Sequence, residues 1–215
     1  GLTIFNKNSW LVTHLDETEG GVYKLNFDGD IEPFLLKIEN KPIPPTNYVH
    51  LDFEGRIWIT VSTRKIPRIL SHHADCDDGF IILLDGRKSK IVADGLGFAN
   101  ECFYNPFDKK LYVNETFGRK ISCFEIGKSG LLLNKKTHTN FGFGEFPDGL
   151  TLDSEGCFWV TSIFSNKLIR VFPNGEKQNI LQDSDPIYLN SIEKAYKKGV
   201  LTRSLMNSLK SKKLK

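Results

Sequence analysis

No two of the four cysteines, Cys76, Cys102, Cys123 and Cys157, form a C-x-x-C pair, which excludes the zinc-finger and thioredoxin-like spacings. A chain of this length needs no disulfide to fold, so the thiols read as free in a reducing compartment, and the cytoplasm is the expected location. No apolar run approaches the roughly 18 residues needed to span a bilayer. The start, Gly1-Leu2-Thr3-Ile4-Phe5-Asn6, has neither the basic flank nor the long apolar stretch of a secretory signal. It also lacks an initiator Met, so sequence ahead of Gly1 is expected. No basic stripe marks the body. Eight Lys or Arg and one acid from Ile187 onward give +7 in a chain of net charge +3, which leaves −4 on residues 1–186. Nucleic acid is therefore not an expected partner, and the basic tail reads as a solvated helix face. His14, His50 and His138 stand alone, and no Ser-His-Asp order with a nucleophile elbow is visible. No helical period appears before residue 187.

What is present is a repeat. Four short apolar segments rich in β-branched and aromatic residues begin at Trp10, Trp58, Leu111 and Trp159, spaced by 48, 53 and 48 positions. Ahead of each lies a cluster of turn residues: Asn6-Lys7-Asn8-Ser9, Phe53-Glu54-Gly55-Arg56, Asn105-Pro106-Phe107-Asp108 and Ser154-Glu155-Gly156. Such clusters supply the backbone angles of tight hairpins. One strand precedes each turn and two follow each anchor segment, as in Lys167-Leu168-Ile169-Arg170-Val171 and Lys177-Gln178-Asn179-Ile180-Leu181. Four short antiparallel strands per repeat form one propeller blade. The fold expected is all-β, of the β-propeller type, with about four blades over residues 1–186. A short, basic, helical extension or inter-blade insertion is expected over residues 187–215.

Eleven positions before three of the anchors stand Asn47, Asn100 and Asp148. The equivalent seat of the first repeat falls outside the chain. In a propeller the first strand of each blade lines the central channel, so one repeat phase points three oxygen-bearing side chains at one small volume. Asn and Asp at a strand start also satisfy turn backbone, but three at one phase favour a shared site. Their oxygens are hard ligands suited to Ca²⁺, Mg²⁺ or Mn²⁺.

The sequence resembles the family of gluconolactonase, regucalcin (senescence marker protein) and luciferin-regenerating enzyme. Three blocks carry the resemblance: Phe146-Pro147-Asp148-Gly149-Leu150 leading into Gly156-Cys157-Phe158-Trp159-Val160, Gly97-Phe98-Ala99-Asn100 leading into Leu111-Tyr112-Val113-Asn114-Glu115-Thr116, and Thr46-Asn47 leading into Gly55-Arg56-Ile57-Trp58. The resemblance implies a six-bladed propeller with one divalent cation in its channel, calcium first, with zinc, magnesium or manganese as alternatives. It implies that Asn100 and Asp148 are metal ligands, that Asp148 also serves as general base, and that Asn47 reaches a small-molecule substrate. The implied reaction is hydrolysis of a sugar lactone or similar small ester by a metal-activated water. Two alternatives stay open: a non-catalytic propeller that binds a metal or small ligand, and a strictosidine-synthase-like propeller without metal. The family's metal-binding Glu, from an early blade, has no match here. Glu17 and Glu19 lie past the first anchor, and Pro45 stands where some members carry Arg. About four blades where six are implied suggest a fragment, whose missing blades come from further chain or another protomer.

Other polar clusters are assigned more ordinary places. His72-His73-Ala74-Asp75-Cys76-Asp77-Asp78 reads as a solvated surface loop rather than a zinc site. Glu101 follows Asn100 and, by strand alternation, is expected to face away from the channel. Glu115 is expected to pair with Arg119 or to line the pocket mouth. Asn140-Phe141-Gly142-Phe143-Gly144 is a flexible loop without the Lys-Ser/Thr of a phosphate-binding loop. Asn190-Ser191-Ile192-Glu193 resembles a capping box, and Gly199 suits a helix stop. Thr202 is expected to cap a second helix with Leu205, Met206 and Leu209 on one side.

Overall fold

Each anchor segment is the second strand of a four-stranded antiparallel sheet in the computed structural model, which describes residues 1–86 and 88–208. The first sheet holds β1 (Leu2–Asn6), β2 (Ser9–Thr13), β3 (Val22–Asn26) and β4 (Ile31–Leu35) in sequence order. A small ladder, β5 (Lys37–Ile38) with β6 (Lys41–Pro42), follows. The second sheet holds β7 (Thr46–Leu51), β8 (Ile57–Val61), β9 (Gly79–Asp85) and β10 (Lys88–Leu96). The third holds β11 (Ala99–Asn105), β12 (Lys110–Glu115), β13 (Lys120–Ile126) and β14 (Leu132–Asn140). The fourth holds β15 (Phe146–Leu152), β16 (Phe158–Ile163), β17 (Lys167–Val171) and β18 (Lys177–Gln182). The opening strands lie side by side in the order β1, β7, β11, β15, so the repeat places one strand of each sheet on a common inner surface.

Sequence-local chemistry explains the hairpins. Asp52 follows the first strand of its repeat and accepts from the backbone N–H of Glu54 at 2.9 Å and of Arg56 at 3.0 Å. Its other oxygen accepts from Trp58 Nε1 at 2.8 Å. Asp153 repeats the device on Glu155, Cys157 and Trp159 at 2.8–2.9 Å. Gly55 and Gly156 sit at φ of 80° and 78° inside these turns, where a side chain would be strained. Asn6 and Asn105 play the shorter version of the same part, each accepting from the N–H two residues on at 2.9 Å.

The sheets stack face to face with an apolar layer in each gap. Leu11, Val49 and Ile59 fill the first gap. Trp58, Leu83, Leu111 and Val113 fill the second. Tyr112, Leu150, Phe158 and Val160 fill the third. Every residue of β8 is buried because both of its faces meet such a layer, which is why that strand is apolar on both faces except at Thr60, whose hydroxyl donates to the Asn100 carbonyl. Truncating Trp58, fully buried, is expected to destabilise by about 4 kcal/mol.

Helix α1 (Pro186–Lys197) follows the fourth sheet. Its N-cap is Asp185, which accepts from Ile187 and Tyr188 N–H at 2.9 and 3.2 Å, with Pro186 in the first turn. The capping box expected at residues 190–193 therefore lies inside the helix. Glu193 turns inward instead, ion-paired to Arg119 and accepting from Gly144 N–H at 2.6 Å. Gly199, at φ of 66°, follows the helix end as expected. Ile192 and Tyr196 pack on Phe117 and Phe146, which joins the helix to the sheets. A short helix α2 (Arg203–Met206) is capped by Thr202 as expected, its hydroxyl accepting from Leu205 N–H at 3.2 Å. Leu205 and Met206 pack against the cluster around Tyr196, and Leu209 lies outside the described residues. No described helix is long and apolar enough to cross a membrane.

Candidate functional site

Asn47, Asn100 and Asp148 stand on the three inner strands β7, β11 and β15, and each sits at a break in its strand's pairing. The registers shift between Thr46 and Tyr48, between Ala99 and Cys102, and between Pro147 and Leu150. A bulge of this kind re-aims a side chain and ends strict alternation. The three residues line one cavity of about 370 Å³.

The geometry is held by hydroxyls from the neighbouring strands. Asn47 Nδ2 donates to Ser62 Oγ at 3.0 Å, and Ser62 in turn donates to the carbonyl of Ala99 at 2.9 Å. Asn100 Nδ2 donates to Thr116 Oγ1 at 3.0 Å and to Asp148 Oδ1 at 2.6 Å. The Thr116 hydroxyl donates to the Pro147 carbonyl at 2.8 Å. The Ser62–Ala99, Asn100–Asp148 and Thr116–Pro147 links each tie one sheet to the next. Both donors of the Asn100 amide are thereby used, which leaves its carbonyl oxygen for a further partner. Ser62 and Thr116 were not singled out from the sequence. The signal was there, a hydroxyl residue just past the end of the second and third anchor strands.

Two expectations are corrected at this cavity. Glu101 lines it beside Asn100 rather than facing away, because the bulge cancels the alternation on which the opposite orientation rested. Its Oε2 accepts from Leu150 N–H at 2.7 Å. His72 is not solvated: it is 7 % exposed and lines the same cavity, with Arg68 beside it. The segment carrying them joins β8 to β9 and includes a 3-10 turn at Arg68–Ser71. A third correction falls nearby. Glu115 does not pair with Arg119. It is buried beneath the sheet end, where it accepts from Gly97 N–H at 2.6 Å and Ser122 Oγ at 2.5 Å and meets Lys135 at 3.0 Å.

The electrostatics of the cavity suit a cation. Burial pushes the Asp148 carboxyl above its ordinary range, and the hydrogen bond from Asn100 offsets part of that rise. Burial also raises the Glu101 carboxyl, and the charge of Asp148 raises it further. Two carboxylates that disfavour one another's charge, beside an amide with an unused oxygen, form a hard-oxygen set that a divalent cation would relieve. Glu17 does not join this set: its carboxylate pairs with Arg203 and lies 3.5 Å from Arg68 Nε. Elsewhere among the described residues, Asp153, Glu155 and Cys157 bring ligand atoms close together. There the Asp153 oxygens already hold the turn's N–H groups, Trp159 and Arg170, and Glu155 also pairs with Arg170. The four cysteines are free, as expected.

Successive four-stranded antiparallel sheets, with their first strands gathered on one cavity, define an all-β, propeller-like class of protein. Within that class the chain belongs to the SMP-30/gluconolactonase/LRE-like family, whose model matches residues 6–183. The chain is 24 % identical over 172 residues to a 6-deoxy-6-sulfogluconolactonase of Pseudomonas putida, a match covering 75 % of this chain and 54 % of the relative. It is structurally similar to a gluconolactonase from Xanthomonas campestris, with a TM-score of 0.65 at 19 % identity, covering 83 % of this chain and 59 % of that one. It is also similar to the calcium-binding protein regucalcin of Agrobacterium tumefaciens, with a TM-score of 0.64 at 18 % identity, covering 86 % of this chain and 59 % of that one. The chain thus spans between one half and three fifths of the length of these relatives.

Proposed function

We propose that this cavity is the site of cation-dependent hydrolysis of a sugar lactone or similar small ester, within a six-bladed propeller of which the chain supplies four blades. The observation that carries the reading is the Asn100–Asp148 hydrogen bond of 2.6 Å across two sheets, on a cavity that Asn47 also lines. Asn100, through its carbonyl oxygen, and Asp148, through its carboxylate, would hold the cation. Calcium suits these oxygens first; zinc, magnesium and manganese are the alternatives. A bound divalent cation supplies a Lewis acid that polarises the substrate carbonyl.

The remaining work falls to side chains of the chain itself. Asp148 accepts a proton from the attacking water as general base. Asn47, fixed by Ser62, presents its amide to the substrate's ring oxygens or hydroxyls. Thr116 holds the Asn100 amide so that its oxygen faces the cavity. The names of the relatives, two of them gluconolactonases by type, support the lactone over other esters.

The test is turnover of δ-gluconolactone with calcium added. Asp148→Asn keeps shape and hydrogen bonding to Asn100 while removing the charge, and is expected to lower turnover about 10²–10⁴-fold. Turnover that survives in this variant contradicts the role assigned to Asp148. Calcium binding without hydrolysis in the parent chain selects the non-catalytic reading instead.

A further inference from the structure

The cavity has a second polar end that the proposed chemistry does not use. Residues 62–78 leave the second sheet between β8 and β9 and return to it with both ends clamped. Thr63 Oγ1 and Arg64 N–H both donate to the Asp78 carboxylate, at 2.8 and 3.0 Å. Arg64 pairs with Asp94 at 2.6 Å. This clamp sets His72 against Phe98 and Phe117, with ring centroids 5.0 and 4.8 Å apart.

His72 is more than nine-tenths buried, yet neither ring nitrogen has a hydrogen-bond partner. Native interiors satisfy such groups almost always, so this ring, set among the residues that line the cavity, keeps hydrogen-bonding capacity that no protein group uses. Burial first, then the nearby charges of Arg68 and His73, lower its pKa to about 4. At neutral pH the ring therefore offers one N–H donor and one acceptor. Four residues earlier Arg68 lines the same cavity, and its Nε also lacks a hydrogen bond. The nearest carboxylate, Glu17, is shared with Arg203. A guanidinium and a neutral imidazole on one wall make a donor pair matched to an oxyanion. The carboxylate end of the cavity, at Glu101 and Asp148, repels the same group, so the two ends fix one orientation.

We infer that the Arg68–His72 end of the cavity receives an anionic substituent of the substrate, a phosphate, sulfonate or carboxylate carried away from the carbonyl group that faces Asp148. This rests on the hydrolase reading above and narrows it to acidic sugar lactones or esters. Arg68 and His72 are then specificity-determining residues and take no part in the bond-breaking step.

The probes are glucose 6-phosphate and glucose, unreactive rings that differ only in the anion, titrated calorimetrically into the full chain without added cation. The phosphorylated sugar is expected to bind at least about tenfold tighter, as a charge-assisted hydrogen-bond pair provides. Arg68→Met is expected to erase the preference, His72→Phe to reduce it severalfold, and Arg68→Lys to keep part of it, which separates lost charge from lost folding. Equal affinity for the two sugars, no binding of either, or a preference that survives Arg68→Met overturns the inference. Calcium titration of the same samples keeps the two readings apart. A normal calcium response without anion preference sinks this inference alone, whereas no calcium response in the parent chain is the failure of the hydrolase reading.

Discussion

Among single residues, Glu145 shows most directly how this chain places charge under its surface. It is buried at the start of β15, where Lys167 and Lys177 reach it at 3.0 and 2.8 Å and Gly142 N–H donates to it at 2.9 Å. Burial alone would raise its pKa. The bond from Lys177, the Gly142 N–H and Lys167 outweigh that and hold it at about 2. A folded-state value below the unfolded one stabilises the fold above the unfolded pKa, and that stability is lost as pH falls toward 2. Glu145→Gln is therefore expected to cost about 2 kcal/mol at pH 7 in urea unfolding, with the difference from the parent shrinking steadily below pH 4. A difference independent of pH would contradict the ion-pair account. The residue scale is also where the sequence was least legible. That Asn47, Asn100 and Asp148 line one cavity could be foreseen because they share a repeat phase. His72 could not, since a run of His and Asp looks solvated until a clamp folds it over a cavity. Glu101 was misplaced because alternation holds only where the ladder is regular, and a bulge leaves no mark in one sequence.

At the scale of elements, the anchor strands were plain. Trp and β-branched residues behind a turn of Asp, Asn and Gly recur at near-constant spacing, and each became the second strand of a sheet. The helix start was misread although its signal was present: Asp185 before Pro186 is an N-cap with proline in the first turn. The apparent capping box at residues 190–193 failed because Glu193 is committed to a tertiary partner. That partner, Arg119, stacks over Phe146 at 4.1 Å and over Tyr196 at 4.6 Å while pairing with Glu193. The Tyr196 hydroxyl donates to the Phe117 carbonyl at 2.5 Å. Removing the guanidinium leaves a buried carboxylate without its ion-pair partner, which costs about 3–5 kcal/mol. Arg119→Met is thus expected to raise amide exchange in Pro186–Lys197 far above that in β7–β9, measured by hydrogen–deuterium exchange. Exchange rising equally in all four sheets would show that the helix is not the unit this contact holds.

The whole molecule has no single central core. Four sheets alternate with apolar layers, and their first strands meet where the amide and carboxylate side chains gather. The repeat made that arrangement visible in the sequence, and family membership over residues 6–183 agrees with it. The substrate was not visible, because the walls of the cavity come from the β8–β9 segment and from helix α2 as well as from the repeats. The proposed chemistry requires that side chains from separate sheets share one cation. Calorimetric titration of calcium into the chain and into its Asp148→Asn and Asn100→Ala variants tests this most directly. One site is predicted in the parent, with affinity lowered at least about hundredfold in Asp148→Asn and clearly weakened in Asn100→Ala. Affinity unchanged in either variant, or no calcium binding by the parent, would contradict it.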